Sequence, residues 1–532
     1  MSLSQTDSYK LSHKGFMAAK TNLIYSNLTA RSSHHLNVIK DSFDNKAVFF
    51  GLQGFIMEFL IKDLNDHFFK KAKDKAIRKF KRLVDGYLGA GAVDMAHFEA
   101  LHDLGYLPIE IKALPEGSRV NIKVPFLTIK NTHEDYAWLT NYLETVMSCE
   151  LWKQITIATI IYEYRKMVNE YALKTTGSLD FTMFQLHDFS FRGMSGRQDA
   201  AKCGAAFLLS SCGTDTIPAV EYLEDYYNAD VTNEFIATSV PASEHSIMCA
   251  GIATEGEAES VKRFITESYP TGIVSIVGDT KDWWNFLTNI ICGLKKEILA
   301  RPANAIGLSK VVARPDSGDP ADIICGFEYF DPKDSSNEQA ICCGALAGGY
   351  EVYKFKNKYY FSKNSKEVSE AEVKGSVELL WETFGGTVTK QGYKVLDSHI
   401  GLIYGDSITP AVALDVFQRL EAKGFASTNI VFGVGSYTMQ YVTRDSLGMA
   451  VKATYTEVDH VGYELFKDPI TDSGMKKSAK GLLRVEKEGD DFVLYDQQTW
   501  EQEQEGELQT VFFNGQLVRE TNLSTIRSQL WG

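Results

Sequence analysis

Leu402–Leu420 reads LIYGDSITPAVALDVFQRL: three apolar residues, a Gly405-Asp406-Ser407 loop, then a helical pattern with Val412, Val416, Phe417 and Leu420 on one face. The same unit recurs on either side. Ile273–Val277 runs into Gly278-Asp279, with a helix expected from Asp282. Lys310–Ala313 runs into Arg314-Pro315-Asp316-Ser317-Gly318, and Ile430–Phe432 runs into Gly433-Val434-Gly435-Ser436. Four short strands thus each end in glycine or acidic residues, as the rim of a parallel β/α barrel requires. Glycine lets phosphate approach backbone N–H groups, and aspartate there can hold hydroxyls or a metal. The fold class expected is therefore α/β, an irregular parallel β/α barrel.

Working outward, the barrel is expected over residues 151–439, opened by a long helix over Ile155–Thr175. Residues 327–394 interrupt the rhythm. They contain a hairpin pattern at Tyr350–Ser362 (YEVYKFKNKYYFS), with its turn at Asn357, and read as an insertion. Residues 1–150 mix strands and helices. Val120–Lys130 is β-rich, Ala47–Leu60 reads as an apolar helix, and Lys70–Lys81 (KKAKDKAIRKFK) reads as a solvated helix face. Together with residues 440–532 this part is expected to form a second, α+β domain made from both chain ends.

The 532 residues exceed what one ordinary core holds. Acidic residues outnumber basic ones 69 to 55, a net charge of −14. Such a chain has no electrostatic footprint for nucleic acid or an anionic membrane, so an anionic substrate needs a local basic pocket. None of the eight cysteines forms a C-x-x-C pair, and free thiols in a reducing compartment are expected. The polar start and the lack of a long apolar run point to the cytoplasm. A P-loop and an H-E-x-x-H zinc motif are both absent from the sequence. Neither a Schiff-base lysine nor a metal cluster is legible at a strand end, which disfavours an aldolase.

Local motifs add chemistry. Thr6–Lys10 is TDSYK, Leu186–Gly193 is LHDFSFRG, Gly213–Thr216 is GTDT, Ser239–Ser246 is SVPASEHS, Ala313–Pro320 is ARPDSGDP and Lys467–Pro469 is KDP. Taken singly, His245 would be a surface histidine, Asp215 a turn cap and Phe189 core packing. In this order the set resembles the nicotinamide phosphoribosyltransferases, type II phosphoribosyltransferases, from TDSYK to the region of Lys480 and excluding the insertion.

The resemblance implies a homodimer with active sites at the subunit interface. The implied reaction turns nicotinamide and phosphoribosyl pyrophosphate into nicotinamide mononucleotide and pyrophosphate, with Mg2+ as cofactor and ATP as co-substrate through a phosphohistidine. It further implies that His245 is the phosphorylated residue, supported by Asp279, and that Asp316 holds ribose hydroxyls. Phe189 and Tyr9, the latter from the other subunit, sandwich the pyridine ring, with Arg314 beside it, and Asp215 accepts the amide N–H. Arg192, Arg314, Arg444, Gly405, Asp406, Gly435 and Ser436 meet phosphate, pyrophosphate or ribose, and Arg31, Lys452, Lys467 and Lys476 complete a basic lining across the dimer.

The residues suit that chemistry. A neutral imidazole is nucleophilic near neutral pH once a carboxylate orients its other nitrogen. Glu244 is the less apt partner, because adjacent side chains in an extended segment point apart. Nicotinate beside Asp215 would place two like charges at about 4 Å, repelling by roughly 4 kcal/mol at an effective dielectric near 20. The ring nitrogen becomes cationic on attack, so aromatic faces gain about 0.5–2 kcal/mol on the way to product. One departure is Gly433–Tyr437 (GVGSY), where Ser436 stands in place of a family glycine. A nicotinate phosphoribosyltransferase and a non-catalytic nucleotide-binding barrel are the alternatives.

Overall fold

The computed structural model describes residues 2–332, 337–466 and 479–532. Six parallel strands form the inner sheet, in the order Gly213–Thr214, Leu186–Asp188, Ile430–Val434, Ile400–Tyr404, Ser309–Arg314, Gly272–Val277. Their residues are mostly apolar on both faces, as strands covered by helices must be. The two edges do not stay open. Thr238 bridges Gly213 and Ala242 bridges Ser275, both in parallel sense, so the irregular segment between them closes the ring. The irregular β/α barrel expected from the strand-end pattern is present, and its irregularity lies in this seventh, bridge-only segment.

A second, antiparallel sheet of seven strands draws on both ends of the chain. Its order is Val461–Glu464, Ala450–Val458, Thr21–Thr29, Pro125–Asn131, Ile109–Ala113, Gln509–Phe513, Gln516–Leu517. The helix Trp138–Thr176 packs against this sheet and against the barrel helix Arg197–Phe207. It ends where Gly177 takes a left-handed conformation and its N–H closes on the Leu173 carbonyl. The helix starts well before Ile155, so the expected boundary at residues 150 and 151 falls inside it. The partly exposed polar residues Asn141, Glu144 and Glu150 obscure its first turns, because there it lies half on the surface.

Two further expectations need adjusting. Ala47–Leu60 is not one helix: Lys46–Val48 is a strand paired with Arg119–Asn121, and the helix begins at Leu52. Gly51, at φ 108°, makes the turn between them. The segment 327–394 also divides. Strands Tyr329–Phe330, Val352–Phe355, Lys358–Phe361 and Glu367–Val368 form a four-stranded sheet with small clusters of its own, including the expected hairpin, in which Lys356 and Asn357 both adopt positive φ. The helix Ser376–Phe384 instead buries Val377, Leu380 and Phe384 in the main core.

Candidate active site

Successive strand ends place their loops on one rim, around an open cleft of about 880 Å3. From Leu186–Asp188 come Phe189 and Arg192; from Gly213–Thr214 comes Asp215; the closing segment delivers Glu244 and His245. Ser309–Arg314 supplies Arg314 and then Asp316, and Ile400–Tyr404 supplies Gly405 and Asp406. Eight of the residues singled out in the sequence therefore line one cavity.

His245 opens the helix His245–Thr254, following an extended Glu244. Its Nε2 lies 2.9 Å from Asp279 Oδ1. The other Asp279 oxygen accepts from the Asp316 N–H at 2.9 Å and the Ser317 hydroxyl at 2.5 Å. Burial pushes this carboxyl up, but donation from Ser317, His245 and Asp316 outweighs it, and Asp279 stays below the usual range. An ionised carboxylate accepts only, so Nε2 carries a proton and the lone pair of a neutral imidazole here lies on Nδ1. Glu244 instead accepts from the Ser246 hydroxyl.

Asp215 is held from behind. One oxygen, Oδ1, accepts from the Ser239 hydroxyl at 2.6 Å and faces His187 Nε2 at 2.9 Å. Burial raises its pKa, but these donors and the nearby Arg314 charge bring it below the usual range, so it faces the cleft as an anion. Phe189 is seated by backbone: its N–H donates to the Val434 carbonyl at 3.0 Å. Its ring lies against Gly405 and Gly433, where an added Cβ would come within 2.7 and 2.2 Å of ring carbons. Gly405 is thus needed to admit the Phe189 ring as well as for its place on the rim.

Other expected residues stand apart from the lining of this cleft. Gly435 and Ser436 start the helix Ser436–Gln440, with Ser436 packed where a Gly193 side chain would otherwise be. Arg444 lies 3.7 Å from Asp445, Lys452 lies 4.0 Å from Glu144, and Arg31 donates to the Gly448 carbonyl at 2.9 Å. Tyr9 is exposed, its ring 5.2 Å from that of His13. Lys467 and Lys476 lie outside the described residues. Sequence reasoning missed His187, Ser239, Ser317 and Arg197. Strand alternation was the available signal for His187, since it projects to the same side as Phe189. Ser239 and Ser317 depend on contacts between loops far apart in the chain.

Comparison with known proteins settles the lineage. The model of the nicotinate phosphoribosyltransferase (NAPRTase) family matches residues 184–516, spanning every rim segment of the barrel. The chain belongs to this family. It is 51% identical over 528 residues to a nicotinamide phosphoribosyltransferase of Acinetobacter baylyi, covering 99% of this chain and 96% of the relative. A nicotinamide phosphoribosyltransferase of Mycoplasma pneumoniae is 31% identical, covering 88% and 92%. The crystal structure of human nicotinic acid phosphoribosyltransferase aligns at 15% identity with a TM-score of 0.49, covering 99% and 92%. The protein is thus a phosphoribosyltransferase, a pentosyl-transferring enzyme. Among the described residues, no helix is long and apolar enough to cross a membrane.

Proposed function

We propose that this phosphoribosyltransferase joins nicotinamide to phosphoribosyl pyrophosphate, forming nicotinamide mononucleotide and pyrophosphate for NAD salvage in the cytoplasm. The observation that carries the reading is Asp215, an anion presented to the cleft beside the Phe189 ring. An amide N–H donates to such a carboxylate; a nicotinate carboxylate is repelled by it. The pyridine nitrogen attacks the ribose C1, the C1–O bond to pyrophosphate breaks, and no proton moves. Charge passes onto the ring where it faces Phe189, while Asp316 and Asp406, both in the cleft lining, would hold ribose hydroxyls.

His245 fits a second role, coupling ATP to the reaction. In this reading Nδ1 attacks the terminal phosphorus of ATP, the P–O bond to ADP breaks, and ADP departs. Asp279 keeps the Nε2 proton and balances the charge of the phosphorylated ring. Magnesium would neutralise the pyrophosphate. Among the described residues no group of three or more His, Cys, Asp or Glu side chains suits a metal, so phosphate oxygens and water would be its main ligands. Asp316 and Asp406 are the cleft carboxylates available to it.

The cleft lining holds three arginines, Arg192, Arg197 and Arg314, against the carboxylates Asp215, Glu244, Asp316 and Asp406. That balance does not suit a polyphosphate donor by itself. It favours a homodimer in which Tyr9, Arg31 and Lys452 reach the other subunit's cleft. The deciding experiment supplies purified enzyme with phosphoribosyl pyrophosphate and both bases at equal concentration, with and without ATP. Nicotinamide mononucleotide is expected to dominate, with a higher rate or yield when ATP is present. Preference for nicotinate would overturn the base assignment; indifference to ATP, with no label on His245, would overturn the coupling.

A further inference from the structure

Two histidine–aspartate pairs flank the cleft, each with Nε2 and Oδ1 2.9 Å apart, and they face opposite ways. In the first, the His245 side chain is 46% exposed and Asp279 4%. In the second, Asp215 is 49% exposed and the His187 side chain 11%. One pair thus offers an imidazole to the cleft and the other a carboxylate. Asp215 meets the base in the proposed reaction, whereas His187 has no task in it.

The His187 ring has one seat. Its Nδ1 side rests on Gly213, where an added Cβ would come within 2.8 Å of Nδ1. The Phe189 ring lies against it at 4.9 Å between centroids. The neighbouring strand Ile430–Val434 pairs Gly433 with His187 and brings no charge. The Gly213–Thr214 strand brings none either, and the closing segment presents Ser239, which donates to the same Asp215 oxygen. On the strand Ser309–Arg314, Arg314 is the cation acting on Asp215. Asp188, next in the chain, is turned away to the Ser190 N–H and the Thr214 hydroxyl. The titratable group in direct contact with His187 is Asp215.

Resting on the nicotinamide reading, we infer that His187 is a positioning residue that sets the charge, and hence the base selectivity, of Asp215. As a neutral donor it shares Oδ1 with Ser239, leaves Oδ2 for the incoming amide, and lets the pair keep one negative charge. Protonated, it makes the pair neutral, and the repulsion that excludes a second carboxylate weakens. Selectivity for nicotinamide over nicotinate should therefore rise with pH as the pair loses its second proton.

The test is the ratio of kcat/KM for the two bases from pH 5.5 to 8.5, without ATP. His245 and the donor-binding residues serve both bases and cancel in the ratio. In the unaltered enzyme the ratio should climb about tenfold, the effect of one unit of differential protonation energy. In His187→Gln, whose amide donates but does not titrate, it should be flat. In His187→Leu the nicotinamide KM should rise more than kcat falls. A flat ratio in the unaltered enzyme, or the same slope in His187→Gln, overturns the inference while leaving the base assignment intact. Preference for nicotinate at every pH would instead sink the reading on which it rests. The unaltered profile and the Leu variant keep the test decisive if His187→Gln does not fold.

Discussion

Replacing Gly433 with alanine tests how the base is held. An ideal Cβ there would lie 2.2 and 2.3 Å from two Phe189 ring carbons and 2.9 Å from the Gly405 Cα. Ordinary contacts begin near 3.5 Å, so the ring must move by more than 1 Å, and the Gly405 backbone blocks easy relief. Gly433 does not have a positive φ, so alanine adds crowding without backbone strain. Overpacking of this kind costs about 1–3 kcal/mol of stability. A ring displaced by about 1 Å at a reacting group costs on the order of 100-fold in rate. The expected result for Gly433→Ala is a kcat/KM for nicotinamide down about 100-fold, read from mononucleotide formation, with a lower melting temperature. Adding Phe189→Ala should restore stability but not turnover, because the crowding is relieved and the stacking face is lost. A Gly433→Ala enzyme with unchanged activity and melting temperature would refute the claim that backbone glycines pin Phe189.

Three more outcomes follow from the same geometry. Asp215→Ser should raise kcat/KM for nicotinate relative to nicotinamide at least tenfold, since like-charge repulsion worth roughly 4 kcal/mol near 4 Å is removed; an unchanged ratio would dissociate Asp215 from base choice. Asp279→Asn should abolish ATP stimulation and labelling of His245 by terminally labelled ATP while leaving ATP-independent transfer within about tenfold, and undiminished labelling would show that Asp279 does not orient the nucleophile. Burial pushes Glu116 up to about 7 despite donation from the Gln53 and Gly51 N–H groups and Tyr227. The folded state then holds a proton that the unfolded chain has lost, so this group's contribution falls as pH rises from the ordinary 4.5 to about 7. The stability of the unaltered protein minus that of Glu116→Gln should decline across that window, and a flat difference would place Glu116 as an ordinary carboxylate.

The barrel was legible because its information is local: apolar triplets followed by Gly-Asp or Arg-Pro-Asp announce strand, rim and helix within about twenty residues. What local pattern did not carry is closure. Thr238–Ala242 makes bridges rather than a strand, and nothing in SVPASEHS distinguishes a barrel stave from a loop. The outer sheet was harder still, since Thr21–Thr29 pairs with Ala450–Val458 across more than four hundred residues of chain. Within the site, rim membership could be read from strand ends, but partnership could not. Asp279 was assigned to His245 through resemblance, whereas the tie from Asp279 to Ser317 and the Asp316 N–H needs two strands in register.

Under the proposed function, the opposed orientation of the two pairs lets one rim serve two chemistries with the same residue types. Free energy at each site is set by which partner is buried. Asp279, enclosed by Ser317, the Asp316 N–H and His245, has its oxygens committed to donors and acts only through the imidazole it orients. Asp215, with donors on Oδ1 and a half-exposed side chain, keeps acceptor capacity for a ligand. Exchanging the exposed partner would exchange the function: a carboxylate at position 245 would accept hydrogen bonds but could not carry phosphate through nitrogen. The two pairs use two histidines and two aspartates whose roles are indistinguishable by type. Their difference comes from the fold, because His187 is on a strand beneath the rim and His245 is on the first turn of a helix above it.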